Sequence, residues 1–173
     1  DETKARTLMA LAFVDNCVID ADALTSFENN PDELFVDTYP HTIFTPHEGE
    51  FRRLFGDNIA SMNDKVLKCV EASKIAGSIV LLKGSDTVIA NPKGEVVINF
   101  SKAPYLATAG SGDVLAGIIA SLVGKNKMNS FDAACAGAWI HSKLGEYLGP
   151  GLIAEDLVDN IPYIIKKLSN YEL

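Results

Sequence analysis

The chain has 173 residues, 47% of them hydrophobic and 22% charged, with 15 Lys and Arg set against 23 Asp and Glu for a formal charge of −8. This length and apolar share support one compact domain with a real core and exclude wholesale disorder. The acidic balance excludes a basic face for nucleic-acid phosphates or anionic lipid, and no apolar run reaches the roughly 18–20 residues of a membrane span.

The chain opens on Asp1-Glu2, not on a basic segment followed by an apolar one, so no secretory leader is read. Cys17, Cys69 and Cys135 form no C-x-x-C pair and have no histidine at zinc spacing. They read as reduced thiols of a cytoplasmic protein, and no residue is assigned to a metal.

Short β-branched runs alternate with helical stretches. Thr3–Phe13 carries a helical stripe at Ala5, Leu8, Met9 and Ala12. Cys17-Val18-Ile19 reads as a buried strand ending in Asp20-Ala21-Asp22, and Thr42-Ile43-Phe44 as another ending in Thr45-Pro46-His47. A short helix follows, closed by Gly56. Ser61–Ala76 reads as a helix with Ser61 and Asp64 at its start and Gly77 as its stop. Ser78–Leu82 is a strand broken at Lys83-Gly84. Thr87–Ala90 and Val96–Asn99 form a hairpin around Asn91-Pro92-Lys93-Gly94.

From Gly112 onward the pattern is helical. Gly112–Val123 is apolar nearly all round and reads as a buried helix. Ser130–Leu148 follows, with Ser130 as N-cap and Gly149-Pro150 as stop. Ala154–Leu168 has acids in its first turn and Lys166-Lys167 in its last, with Pro162 expected to kink it. The alternation predicts an α/β fold, a largely parallel central sheet flanked by helices.

Four segments carry chemistry. In Thr108-Ala109-Gly110-Ser111-Gly112-Asp113, glycines precede a helix start, which together make an anion hole for a phosphoryl group. A carboxylate at Asp113 would be repelled there unless it takes a proton from an attacking hydroxyl; otherwise it caps the helix. In Leu82-Lys83-Gly84-Ser85-Asp86-Thr87, a strand ends at a lysine able to neutralise phosphates, or at a plain turn. In Thr45-Pro46-His47-Glu48-Gly49-Glu50, His47 is a candidate ligand donor, while Glu48 and Glu50 read as first-turn acids. Asp20 and Asp22 suit a metal, a ribose or a turn equally. His41 and His141 are read as structural.

Taken in this order, Ile19–Leu24, Thr45–Glu50, Leu82–Val88 and Thr108–Leu115 resemble the ADP-dependent NAD(P)H-hydrate dehydratases, a family of the ribokinase-like superfamily. Gly151–Leu157 is similar to that family's last helix. The resemblance implies nicotinamide-cofactor repair, in which the S-epimer of hydrated NADH or NADPH is dehydrated at the expense of ADP or ATP with Mg2+. It implies a nucleotide held by Lys83, Gly84, Ser85, Asp86, Thr87, Gly110 and Gly112, a hydrated cofactor held by His47 and Asp113, and Asp113 as the catalytic base.

The family's catalytic domain is longer than this chain. Residues 1–173 are therefore expected to be a single partial domain, its C-terminal part, without the glycine-rich opening strands and without the epimerase domain to which relatives are often fused. Self-association is left open. Two other readings compete: a small-molecule kinase of the same superfamily, and a nucleotide-binding fragment without catalysis.

Overall fold

The computed structural model describes residues 2–170. In chain order the elements are α1 (Glu2–Phe13), β1 (Val18–Ile19), α2 (Asp22–Thr25), α3 (Asp32–Phe35), β2 (Ile43–Phe44), α4 (Glu48–Ala60), α5 (Lys65–Ala76), β3 (Ile79–Leu82), β4 (Asp86–Ala90), β5 (Val96–Phe100), α6 (Ser111–Gly124), α7 (Ser130–Leu148) and α8 (Ala154–Ser169). A single 3-10 turn, Pro104–Leu106, precedes α6. Among the described residues no helix is long and apolar enough to cross a membrane.

The strands form one sheet in the order β1-β2-β3-β4-β5. The α/β expectation is met, but the sheet is mixed. β1–β2 and β2–β3 are parallel, with Ile19 beside Phe44 and Phe44 beside Val80; β3–β4 and β4–β5 are antiparallel. A largely parallel sheet therefore holds only for β1–β3. The tight turn at Lys83–Ser85 cannot carry a crossover, so β4 must run back along β3.

Both faces of the sheet are covered. Ile19, Phe44, Val80, Leu82 and Val88 point into one cluster with Leu11, Leu24, Phe51 and Cys69 from the α1–α5 side. Ile43, Ile79, Leu81 and Ile89 point the other way, onto Leu115 and Ile119 of α6 and Ala134 and Ala138 of α7. This alternation explains why Ile79–Leu82 is apolar without interruption: every side chain in it is buried. A third cluster joins α6, α7 and α8 through Ile118, Leu144 and Leu157.

Several boundaries differ from the sequence reading. Gly56, with φ 76° and ψ 168°, does close a helix as expected, but a second short helical stretch follows it at once and runs to Ala60. The next helix starts at Lys65, not Ser61. Asp64 is its N-cap, accepting from the Val66 and Leu67 N–H groups, whereas Ser61 ends α4. A carboxylate in extended backbone caps better than a hydroxyl already in helical backbone. By the same logic Asn129, not Ser130, caps α7. α6 is not buried all round: Asp113, Gly117, Ala120 and Ser121 face out. α8 continues through Pro162 to Ser169.

Candidate active site

The carboxyl ends of β1, β2 and β3 lie side by side, and the N-terminus of α6 faces them. Between them is a cleft of about 730 Å³, bordered by His47, Lys83, Gly84, Ser85 and Thr87 on the strand side. Gly110, Gly112 and Asp113 border it on the helix side, and Pro104, Leu106, Leu115 and Ala138 make an apolar end. Such a position, beyond the strand ends of an α/β sheet, is where ligands of these folds bind.

Asp86 is the one candidate that does not border the cleft. Its carboxylate turns to Lys65 Nζ at 2.7 Å, and the same ammonium donates to the Asp86 carbonyl at 2.9 Å. Hydrogen bonding to Lys65 holds the Asp86 carboxyl below its usual pKa. The lysine comes so close that a Cβ at Gly84 would stand 2.5 Å from its nitrogen. Thr87 Oγ1 closes the turn by donating to the Gly84 carbonyl at 2.8 Å and accepting from its N–H at 3.2 Å. Asp86 thus fastens the Gly84–Thr87 turn from behind.

Lys83 reaches the centre of the cleft. Its ammonium is 2.8 Å from Asp20 Oδ1 and 3.8 Å from Glu50 Oε2. A Cβ at Gly112 would lie 3.4 Å from that ammonium and 3.7 Å from Asp20 Oδ2. The lysine–aspartate pair therefore sits directly against the first turn of α6. Gly112 keeps the backbone open to it.

His47 is the N-cap of α4. Its Nδ1 accepts from the Gly49 N–H at 2.9 Å and the Glu50 N–H at 3.2 Å, and Glu50 Oε2 accepts from the His47 N–H at 2.8 Å. An acceptor at Nδ1 puts the proton of the neutral ring on Nε2. That edge is 3.4 Å from Glu50 Oε1, and the side chain is 55% exposed, so it remains able to donate into the cleft. The two glutamates part ways. Glu48 pairs with Lys68 at 2.8 Å, while Glu50 is buried at 6% exposure.

At the start of α6, Gly110 has φ 79° and no side chain caps the helix. The Ser111 N–H donates to the Thr108 carbonyl at 3.3 Å, while the next N–H groups of the first turn have no partner within the helix and stand ready for an anion. Asp113 does not fill that role. It lies in the first turn, exposed, with no hydrogen bond or ion pair among the described residues, which removes the reading of Asp113 as a cap.

The structure sharpens three readings: Asp20, for which a metal, a ribose and a turn stood equal, and His141 border the cleft, and Glu50 stands beside it, 3.8 Å from Lys83. Asp20 is the first residue past β1, as Lys83 is past β3, and that shared position was the available signal. Glu50 was hidden by its ordinary place in a first helical turn. His141, read as structural, is indeed buried, but it also borders the cleft. Its Nε2 is 3.0 Å from the Ser111 carbonyl and 2.9 Å from the Ser111 hydroxyl. Burial lowers its pKa to about 4, so the ring is neutral near pH 7.

Comparison with known proteins agrees with this architecture. The NAD(P)H-hydrate dehydratase family pattern matches residues 2–166. A bifunctional NAD(P)H-hydrate repair enzyme of Moorella thermoacetica is 40% identical over 159 residues, 87% of this chain and 29% of that protein. An ADP-dependent (S)-NAD(P)H-hydrate dehydratase of Neisseria meningitidis is 39% identical over 133 residues, 76% of this chain and 45% of that protein. Among solved structures, an ADP/ATP-dependent NAD(P)H-hydrate dehydratase of Bacillus subtilis, crystallised with ATP and Mg2+, superposes with a TM-score of 0.73. It is 26% identical, and the match covers 88% of this chain and 56% of that one. A ribokinase-like superfamily protein of Enterococcus faecalis reaches a TM-score of 0.79 at 25% identity, covering 94% of this chain and 58% of that one. The chain thus spans less than half the length of these curated relatives. With the strand order, the uncapped glycine-rich helix start and a family pattern covering nearly every residue in agreement, the chain belongs to the NAD(P)H-hydrate dehydratase family of ribokinase-like proteins.

Proposed function

We infer that the protein to which this chain belongs dehydrates the S-epimer of hydrated NADH or NADPH, using ADP or ATP as phosphoryl donor. One observation carries the reading: Lys83, the uncapped start of α6 and the unpartnered Asp113 carboxylate meet in one cleft. A lysine and open N–H groups suit phosphate oxygens. A free carboxylate beside them suits a hydroxyl that must lose its proton.

In this scheme the nucleotide phosphates lie between Lys83 and the Gly110–Gly112 amides, against the Gly84–Thr87 turn. Asp113 accepts the proton of the hydroxyl on the nicotinamide ring as that oxygen attacks the terminal phosphorus of ADP, whose bond to AMP breaks. Phosphate then leaves the ring carbon of that ester, taking the C–O bonding pair, while the ring nitrogen's lone pair forms a C=N bond. Loss of a proton from the adjacent ring carbon restores the dihydronicotinamide. His47 Nε2–H donates to the hydrated cofactor and orients it. His141, neutral, adds no charge beside the phosphates.

Among the described residues no group of three or more His, Cys, Asp or Glu could hold a metal ion. A magnesium ion brought with the nucleotide would meet Asp20 and Asp113, the carboxylates bordering the cleft, and would offset charge on the transferring phosphoryl group. The unpaired Cys17, Cys69 and Cys135 support a reducing, cytoplasmic setting. A second repair activity in the same polypeptide is the partner we expect, because the Moorella relative is bifunctional.

The test is to supply hydrated NADPH and ADP to the complete protein and follow the reduced-nicotinamide absorbance band. Return of the band with release of phosphate supports the dehydratase. A stable phosphorylated alcohol with no return of the band would replace it with a kinase.

A further inference from the structure

We propose that Asp20 is a positioning residue whose carboxylate holds the Lys83 ammonium at the mouth of α6, where the transferring phosphoryl group is received. The proposal rests on the reading of this cleft as a phosphate site.

Asp20 and Lys83 are 63 residues apart, each the first residue beyond its strand. β2 lies between those strands, so their backbones stand roughly 10 Å apart, two strand spacings. The Lys83 backbone is pinned to the end of β2, its N–H donating to the Pro46 carbonyl at 2.9 Å. The side chain must therefore cross over the end of β2 to meet Asp20 Oδ1 at 2.8 Å. A lysine left to itself would not choose that path. It has many rotamers, and its goal here is the positive end of a helix, which repels an ammonium.

The neighbours of the pair point the same way. Lys83 keeps 21% of its side-chain surface and Asp20 11%. Glu50, at 7%, faces the same ammonium from 3.8 Å but is already bound as the return arm of the His47 cap. Asp20 is thus the carboxylate within direct bonding distance of Lys83. Gly112 stands over both groups and leaves them room: its added Cβ would meet the ammonium at 3.4 Å and Asp20 Oδ2 at 3.7 Å. An arriving phosphate oxygen finds the lysine already placed, with donor positions to spare after the bond to Asp20. Such placement lowers the ordering cost of binding.

The experiment compares wild type, Asp20→Asn and Asp20→Glu after melting curves show which variants fold. Trace acetylation with acetic anhydride, without nucleotide, is read by peptide mapping, with Lys65 as the internal standard. ADP affinity is then measured by calorimetry, and turnover of hydrated NADPH separately. Asn leaves Lys83 free, so its acetylation relative to Lys65 should rise several-fold, and ADP affinity should fall about tenfold, the scale of freeing one lysine side chain. Glu retains the carboxylate and should stay nearer to wild type on both readings. Should Asn not fold, Glu carries the test, with a smaller shift of the same sign. Equal acetylation and equal ADP affinity in all three overturn the proposal, as does tighter ADP binding in Asp20→Asn, which would make Asp20 a competitor of phosphate. The acetylation reading needs no nucleotide or cofactor. If wild type fails to bind ADP or to turn over hydrated NADPH while Lys83 labelling still rises in Asp20→Asn, the functional reading falls and the positioning role stands.

Discussion

His141 Nε2 lies 3.0 Å from the carbonyl oxygen of Ser111, tying the middle of α7 to the first residue of α6. A carbonyl only accepts, so this nitrogen carries the proton. The pKa of the ring is lowered from 6.5 to about 4, first by burial and then, in the other direction, by that carbonyl. A folded pKa below the unfolded one means that the unfolded chain takes up the proton first. Stability is then complete above about pH 6.5 and is lost as pH falls towards 4, by at most about 3 kcal/mol. Urea unfolding at pH 7, 5.5 and 4.5 checks this against His141→Gln, in which this part of the acid slope should flatten. Equal slopes in the two proteins would place the acid sensitivity elsewhere.

Asp113 is exposed and holds nothing in the fold, so Asp113→Ala should leave the melting temperature within about 1–2 °C of wild type, as for a surface change. Loss of a general base should lower turnover of hydrated NADPH by at least about a hundredfold. ADP affinity should hold or rise, because a negative charge beside the phosphates is gone. Undiminished turnover would remove Asp113 from the chemistry.

Gly110 and Gly112 are two residues apart, yet they should fail in different ways. Gly110 has φ 79°, and an added Cβ would stand 3.0 Å from Ala154 Cβ, so Gly110→Ala should cost about 1–2 kcal/mol of stability. Gly112 has ordinary helical backbone, and its added Cβ would meet only the Lys83 ammonium and Asp20 at 3.4 and 3.7 Å. Gly112→Ala should fold as well as wild type or slightly better, since alanine favours helix. Its ADP affinity should drop about tenfold or more, because the methyl group fills the space that a phosphate oxygen needs. Calorimetry and melting curves on the two variants separate the cases.

Much of this was legible in the residues. The glycine pair before an apolar helix, the lysine ending a strand and the Thr-Pro-His segment each announced a strand-end site, because loop chemistry is local in sequence. What escaped depended on distance along the chain. α2 and α3 are four-residue helices with no periodicity to read. That Lys65, 21 residues earlier, holds the Asp86 carboxylate is not visible in the local sequence. Asp20 stood open between a metal, a ribose and a turn because its partner lies across β2. His141 looked structural because no glycine or titratable group stands beside it in sequence; its partner Ser111 is 30 residues away.

Thr87 orders the turn against which we propose the nucleotide lies. Its hydroxyl both donates to and accepts from Gly84, and only 9% of the residue is exposed. Thr87→Val keeps the shape and strips both bonds, leaving the Gly84 N–H and carbonyl short of partners. The expected loss is about 1–3 kcal/mol in urea unfolding, with weaker ADP binding from a loosened turn. Thr87→Ser keeps the hydroxyl and should restore most of both. Recovery of neither would place the turn's stability in the Lys65–Asp86 pair instead.

His47 does two things with two nitrogens, and substitution can separate them. Nδ1 caps α4, while Nε2–H, 3.4 Å from Glu50 Oε1 on a half-exposed side chain, is the donor we propose for the hydrated cofactor. His47→Ala removes both and should cost about 1 kcal/mol of stability together with substrate affinity. His47→Asp keeps an acceptor for the Gly49 and Glu50 N–H groups, so the cap should survive in part; but Glu50 lies close by, and a second carboxylate there limits the recovery. His47→Asn keeps the acceptor without the charge and is the cleaner probe. Its melting temperature should match wild type, and KM for hydrated NADPH should rise about tenfold while KM for ADP stays level, since the lost donor touches only one substrate. A matching rise in both KM values would mean that His47 acts through the cap, by moving Glu50 and with it Lys83, and not by touching the cofactor.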